Sequence, residues 1–452
     1  MEEVDLEDSS TMILDKNHDE LPKLIKNPFL IIVFLGTLTL LTVSSNSILH
    51  SNEIEFILDR FVGISSFEFS LYDTVLYIAY FITGIGIGIL SDKFTKRKIF
   101  ILIGSASTAV LYFLMTLTEN YCLLLFLRFL QGCFSIMAWQ MFLTMVLDFS
   151  TQENRGRNMG IYGILMAIAM GLGPMVGGFI AKLGVFVPYY FAIGFMVLVF
   201  FLSFLLKEAV TLKQRSSLKE SLLILKSDPK LLVPSLFNFI DRLHMGMIVF
   251  VLPLIIGLEI SEGGLGLDTN YRGIAFGVFA LPFILLQYPV GRISDKIGRY
   301  LPLILGSCFY GIVISLTGYF GSTSFSTLLI LLVLLGFFSA ITSPTSMALI
   351  GDTIEDNKKN AAGTGVFTLF GNIGIAFGPV IAGFLINYGF GLTFLIAGVL
   401  ELFSLLTNII LIRFVFKDRL LQSKKIKKLN NTQPLLEELN NLSSERSNEE
   451  KN

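Results

Sequence analysis

Twelve separate stretches of this chain, each about 20 residues or more and nearly free of charge, limit what it can fold into more than any other feature. A helix needs about 20 apolar residues to cross a hydrocarbon core about 30 Å thick, and lipid offers no partner for an unpaired backbone amide. The stretches are 28–49, 71–91, 99–117, 121–149, 159–182, 185–206, 231–256, 271–293, 301–320, 326–350, 362–386 and 391–415. They predict an all-α membrane protein with twelve transmembrane helices. Only 15% of the residues are charged, against about a quarter in soluble domains, which excludes a water-soluble enzyme or a disordered binder. A net charge of −1 supplies no field that would recruit nucleic acid. Cys122, Cys133 and Cys308 all fall in apolar stretches and are expected to be inert buried thiols.

The acidic start, with Glu2, Glu3, Asp5, Glu7 and Asp8, lacks the basic flank of a secretory signal, so the first stretch is expected to be retained. An even number of spans puts both termini on one side. Placing that side in the cytoplasm leaves 29 of the 34 Lys and Arg inside, three outside (Arg60, Lys182, Arg272) and two within the membrane (Arg128, Arg242). The expected organisation is a cytoplasmic tail over 1–27, a six-helix half over 28–206, a cytoplasmic linker with an amphipathic helix over 207–230, a second six-helix half over 231–415 and a cytoplasmic tail over 416–452.

The two halves repeat each other. Gly88-Ile89-Leu90-Ser91-Asp92-Lys93-Phe94-Thr95-Lys96-Arg97 closes the second stretch, and Gly291-Arg292-Ile293-Ser294-Asp295-Lys296-Ile297-Gly298-Arg299 closes the eighth. The fifth contains Gly171-Leu172-Gly173-Pro174-Met175-Val176-Gly177-Gly178, and the eleventh Gly374-Ile375-Ala376-Phe377-Gly378-Pro379-Val380-Ile381-Ala382-Gly383. The offsets agree, 203 residues from Asp92 to Asp295 and 205 from Pro174 to Pro379, which is what duplication of a six-helix unit leaves behind.

At these residues the chain resembles the major facilitator superfamily, and within it the proton-coupled drug and metabolite exporters. The family's loop signature G-x-x-x-D-[RK]-x-G-R-[RK] is met by the second copy through Arg299; the first copy departs at Thr95 and Lys96. The fourth-span signature R-x-x-Q-G is present as Arg128, Gln131 and Gly132, and the antiporter signature G-x-x-x-G-P-x-x-G-G is met on the fifth span except at Ala169. The resemblance implies two pseudo-symmetric six-helix halves, alternating access, and a conformational role for Gly88, Asp92, Arg97, Gly291, Asp295, Arg299, Gly173, Pro174, Gly378 and Pro379. Physically, glycine lets helix backbones close on each other and proline bends them. A carboxylate such as Asp92 can latch onto the exposed amides of a neighbouring helix N-terminus.

Charges inside the membrane are costly unless paired or hydrated, so the coupling candidates are Asp241 first, with Arg242, Glu401 and Arg128. Asn238, Asp241 and Arg242 follow i, i+3, i+4 spacing and are expected as one polar stripe facing a central cavity. Structural pairing of Asp241 with Arg242, and bracing roles for Glu401 and His244, stay open. Further cavity candidates are Asn46, Gln131, Trp139, Gln140, Asn238, Gln287 and Asn372.

No H-E-x-x-H, G-x-S-x-G or G-x-x-x-x-G-K-[ST] string occurs, so neither a zinc protease, a hydrolase elbow nor an ATP-driven pump is expected. The favoured reading is a monomeric secondary transporter in a cell membrane, without cofactor or metal, exporting small amphipathic or drug-like organic compounds in exchange for protons or another ion. A facilitator or symporter for a sugar, organic acid or peptide stays open.

Overall fold

The computed structural model describes residues 28–94, 96–150, 154–206, 223, 225–353 and 360–416, and side chains throughout except those of residues 28, 88, 89, 91–94, 155, 156 and 360–362. The tails over 1–27 and 417–452, and most of the linker with its expected amphipathic helix, lie outside the described residues, as do the side chain of Asp92 and the surroundings of Gly88.

Twelve long helices follow one another among the described residues: α1 Pro28–Ser47, α2 Ser66–Phe94, α3 Lys98–Leu117, α4 Tyr121–Asp148, α5 Arg155–Ala181, α6 Val187–Ser203, α7 Leu232–Gly257, α8 Thr269–Ile297, α9 Tyr300–Phe320, α10 Phe325–Thr353, α11 Asn360–Leu385 and α12 Phe390–Ile410. Each coincides with one apolar stretch of the sequence. Eleven are long and apolar enough to cross a membrane, and α6, apolar throughout, has 17 residues. Helix ends follow local chemistry. The Asn120 side chain accepts from Leu123 N at 3.0 Å and starts α4. Gly298, at φ +94°, ends α8 in a backbone that a side chain would strain, so the motif glycine turns the chain straight into α9.

The duplication is visible in the packing. Helix α1 packs on α4, α5 and α6, and α7 on α10, α11 and α12; α3 packs on α4 and α6, and α9 on α10 and α12; α2 pairs with α4, and α8 with α10. The halves meet through α5 on α8 and α2 on α11, again equivalent pairs. The end of the bundle at which α1 begins, α6 ends, α7 begins and α12 ends is called the terminal face and the other the distal face.

The apolar cores are distributed unequally between the faces. The largest cluster joins both halves near the distal face, including Ile48, Phe56 and Tyr189 from one half and Phe250, Phe276 and Phe394 from the other. Two smaller clusters, around Met141 and Phe142 and around Phe237 and Leu405, each stay within one half. The outer surface is apolar, with Phe126 and Phe403 more than half exposed, as a lipid-facing surface requires. Cys122 is exposed on that surface and Cys133 and Cys308 are half-buried, so none of the three is fully buried as expected; an apolar stretch that crosses a membrane has an outward face, which the expectation of buried thiols ignored.

Candidate functional site

The Gly-Pro motifs build the distal closure. In the first half, a Cβ on Gly177 would collide with the Ile48 carbonyl, and one on Gly173 with Ser47 Oγ, so α5 and the end of α1 approach as only glycine permits. Ser47 Oγ donates to the Ala169 carbonyl at 2.7 Å, and Ser51 Oγ to the Pro174 carbonyl at 2.6 Å. In the second half Gly374 and Gly378 bring α11 equally close to the backbone of α7.

The same motifs also join the halves. Gly178 abuts the Thr269 carbonyl, and Gly383 abuts Ser70. Thr269 Oγ1 donates to the Gly178 carbonyl at 3.0 Å. Buried Arg272, on α8, donates from Nη1 to Glu55 Oε2 at 2.6 Å and to the Ser51 carbonyl at 3.2 Å, fastening the turn between α1 and α2.

Toward the terminal face a Cβ on Gly86, Gly160, Gly163 or Gly291 would meet nothing within 4 Å, while Gly36, Gly104 and Gly306 are packed tightly against helices of their own half. The close glycine contacts between the halves therefore cluster toward the distal face.

The loop motifs sit at that face. Arg299 donates from Nε to Asp352 at 2.9 Å and from Nη1 to Ser294 Oγ at 2.5 Å, and also pairs with Asp295. Arg97 takes the equivalent place in the first half, with Nε 3.5 Å from Asp148. Each pair ties the start of α3 or α9 to the end of α4 or α10. Asp295, about half exposed, engages Arg299 of its own half.

Of the intramembrane candidates, Arg128 is fully buried on α4, where Nη1 donates to Gln131 Oε1 at 3.0 Å and Gln131 Nε2 donates to the Tyr112 hydroxyl at 3.1 Å. Its guanidinium lies over the Tyr72 ring, 4.3 Å from the centroid, and Nη2 is 3.7 Å from Asp73. Asp73 in turn leads to His50, 3.9 Å away, and His50 Nδ1 lies 2.8 Å from Glu53. His50, Glu53 and Asp73 are all buried, and none was a sequence candidate. The signal available was the i, i+3 spacing of His50 and Glu53 just past the first apolar stretch, and a lone Asp inside the second. The ligand atoms of these three converge within 4.8 Å of one another, but the guanidinium beside Asp73 opposes a divalent cation.

The polar stripe on α7 divides between two neighbours. Asp241 Oδ1 accepts from Ser339 Oγ on α10 at 3.3 Å, whereas Asn238 Nδ2 donates to the Phe367 carbonyl on α11 at 2.7 Å, and Arg242 also lies against α11 at Gly371. Asp241 and Arg242 are half-buried, and among the described residues no ion pair joins them. His244 and Glu401 find each other: His244 Nδ1 is 3.3 Å from Glu401 Oε2, its Nε2 is 3.0 Å from the Ala397 carbonyl, and its ring stacks on Tyr310. This pair is buried inside the second half, between α7, α9 and α12.

The remaining cavity candidates separate by burial. Asn46, Gln131 and Asn238 are buried, whereas Trp139, Gln140, Gln287 and Asn372 are half-buried. Trp139 Nε1 donates to the Tyr162 hydroxyl at 3.0 Å and its ring meets Tyr80 edge-on.

Comparison with known proteins fits this architecture. A family model described as Major Facilitator Superfamily matches residues 29–261 and 234–447. The chain is 26% identical over 339 residues to an uncharacterized MFS-type transporter of Methanocaldococcus jannaschii, which covers 72% of this chain and 83% of that protein. It is also 26% identical over 327 residues to the quinolone resistance protein NorA of Staphylococcus aureus, over 66% of this chain and 76% of NorA. Among solved structures, the nucleoside transporter NupG superimposes with a TM-score of 0.69 at 12% identity, covering 85% of this chain and 99% of that one, a likeness of fold. A duplicated bundle of twelve helices, built on paired Gly-Pro seams and matched along nearly its whole helical length by the family model, makes this chain a member of the Major Facilitator Superfamily of transporters.

Proposed function

We propose that this superfamily member is a secondary active transporter that works by alternating access and exports small amphipathic or drug-like organic compounds in exchange for protons. The observation that carries the reading is the unequal closure of the bundle. With the terminal face cytoplasmic, as the Lys and Arg distribution over the loops favours, the close contacts between the halves lie on the far side, and the halves are free to part toward the compartment where an exporter loads its cargo. The antiporter-type Gly-Pro signature on α5 forms part of the closed seam. The likeness to NorA, whose name refers to quinolone resistance, supports efflux and a drug-like cargo.

Asp241 is the preferred coupling group. It is half-buried, accepts a long hydrogen bond from Ser339, and among the described residues forms no ion pair, so it can exchange a proton as the two halves move. Gln140, Gln287 and Asn372 are the polar positions proposed to contact cargo; the apolar and aromatic residues around them suit an amphipathic molecule.

The test is proton movement in sealed proteoliposomes carrying a pH-sensitive dye, challenged with lipophilic cations, sugars and amino acids, for wild type and Asp241→Asn. Proton flux opposite to a lipophilic compound, lost in Asp241→Asn, is the expected result. Proton and cargo moving in the same direction would make the protein a symporter, and cargo equilibrating with no proton movement would make it a facilitator.

A further inference from the structure

We propose that His50, Glu53 and Asp73 form a proton-binding site in the first half whose occupancy holds the distal seam shut. The inference rests on the proton-coupled reading and adds to it a site on α2 and on the turn after α1, away from Asp241 on α7.

Charge is the first argument. Glu53 and Asp73 carry two negative charges and Arg128 one positive, so with a neutral imidazole the group is one positive charge short in a region closed to solvent. Bonding is unmet at the same place: Asp73 is 98% buried, its Oδ1, aimed between His50 and Arg128, accepts no hydrogen bond, and Arg128 Nε and Nη2 donate none, so the guanidinium does not fully satisfy the carboxylate. The other titratable groups facing the three are Tyr72, Tyr77 and Tyr80 on α2, Tyr121 on α4 and Tyr189 on α6, all neutral phenols at physiological pH. One proton on the site brings the group to neutrality. A divalent metal would leave an excess positive charge beside the guanidinium.

Connectivity is the second argument. The turn that carries His50 and Glu53 also carries Ser51 and Glu55, the two partners of Arg272 across the seam, and Ser51 Oγ is bonded to the Pro174 carbonyl of the Gly-Pro motif. The His50 ring faces Phe276 of α8, with centroids 6.4 Å apart. Any rearrangement that lets water reach the site therefore displaces the residues that close the seam. Release of the proton leaves a bare buried charge, which favours the state in which the turn lifts and the site hydrates.

The experiment reads the seam and requires no cargo. Nitroxide labels are placed at Val62→Cys and Ile260→Cys, exposed positions on the distal loops of opposite halves, with Cys122, Cys133 and Cys308 replaced by Ser, and the distance between them is measured in lipid nanodiscs from pH 5 to pH 9. The expected result is a short distance at low pH that gives way to a long one as pH rises, the ratio of the two populations changing by up to tenfold per pH unit, the limit for one proton. Glu53→Gln, which has no proton to lose, stays short throughout, and Glu53→Asp restores the transition; Asp73→Asn gives the same flattening if Glu53→Gln does not fold. Two results would overturn the proposal: a wild-type distance that ignores pH or shifts equally in both neutral variants, and a short distance that EDTA abolishes and Zn2+ restores. Flux experiments that identify a different cargo would set aside the export reading and leave this result standing.

Discussion

Substituting Gly273 by Ala tests whether the contact between α5 and α8 is what seals the distal face. A Cβ there would lie 2.8 Å from the carbonyl oxygens of both Pro174 and Met175 and 2.9 Å from the Met175 Cα. Unstrained carbon contacts fall at about 3.5–4.0 Å, and all three obstacles are backbone, so no rotamer change relieves the clash. Helix α8 must back away from α5 by more than half an ångström. Overpacking of this kind costs about 1–3 kcal/mol, and the cost falls only on the sealed state, because α5 and α8 part when the distal face opens. The sealed-to-open ratio should therefore drop by about 5- to 150-fold. The assay is labelling of Ala280→Cys, a buried position where α8 meets Gly171 of α5, in a background lacking the native cysteines, by a membrane-impermeant maleimide added from the distal side. Gly273→Ala should raise the labelling rate toward that factor. Gly160→Ala, where a Cβ meets nothing within 4 Å, should give no increase. Labelling of Gly273→Ala at the wild-type rate would refute the claim that this backbone contact closes the seam.

Two further substitutions read stability. Glu401→Ala removes the carboxylate beside buried His244 and should cost about 1–3 kcal/mol, seen as a fall in the thermal midpoint in detergent; a midpoint within error of wild type would show that the pair contributes nothing. Arg299→Lys keeps the charge and loses the forked contacts to Asp352, Ser294 and Asp295. The same measurement should show a loss of about 1 kcal/mol, with no change in the distal label distance.

The fold was legible because one physical constraint, the thickness of the bilayer, imposes a length on every helix and a composition on its surface. The 28–49 stretch ends within two residues of α1, and the 301–320 stretch within one of α9. Gly173, Gly177 and Gly178 were legible for a similar reason, since close approach of two backbones leaves no room for a side chain and the residue type records the contact. The buried charges were harder to read. His50 and Glu53 follow the end of the first apolar stretch and read as loop, yet the chain continues through short helical turns and keeps them inside the protein. Asp73 lies 55 residues from Arg128 in sequence and meets it only when α2 packs on α4. The α7 stripe shows the converse limit: its spacing was correct, but spacing on one helix does not say which neighbours share that face, and Asp241 went to α10 while Asn238 and Arg242 went to α11.

The duplication is kept in the scaffold and broken in the chemistry, and both facts have a physical reason. Arg97 with Asp148 and Arg299 with Asp352 recur at matching places, as do the Gly-Pro seams, because each half must hold its own helices together while it moves as a body. Buried charge obeys a different rule. The first half places Arg128, Asp73, His50 and Glu53 beside the distal seam, whereas the second places His244 with Glu401 behind α7 and Asp241 on its α10 side. Every uncompensated charge in a membrane interior carries a cost, so under the proposed alternating-access mechanism duplicating a charge cluster would double the cost without adding a motion. In the proposed mechanism the cluster beside the seam and Asp241 feel the same rocking from different positions, so a proton bound at one would bias the equilibrium that the other senses, with no direct contact between them.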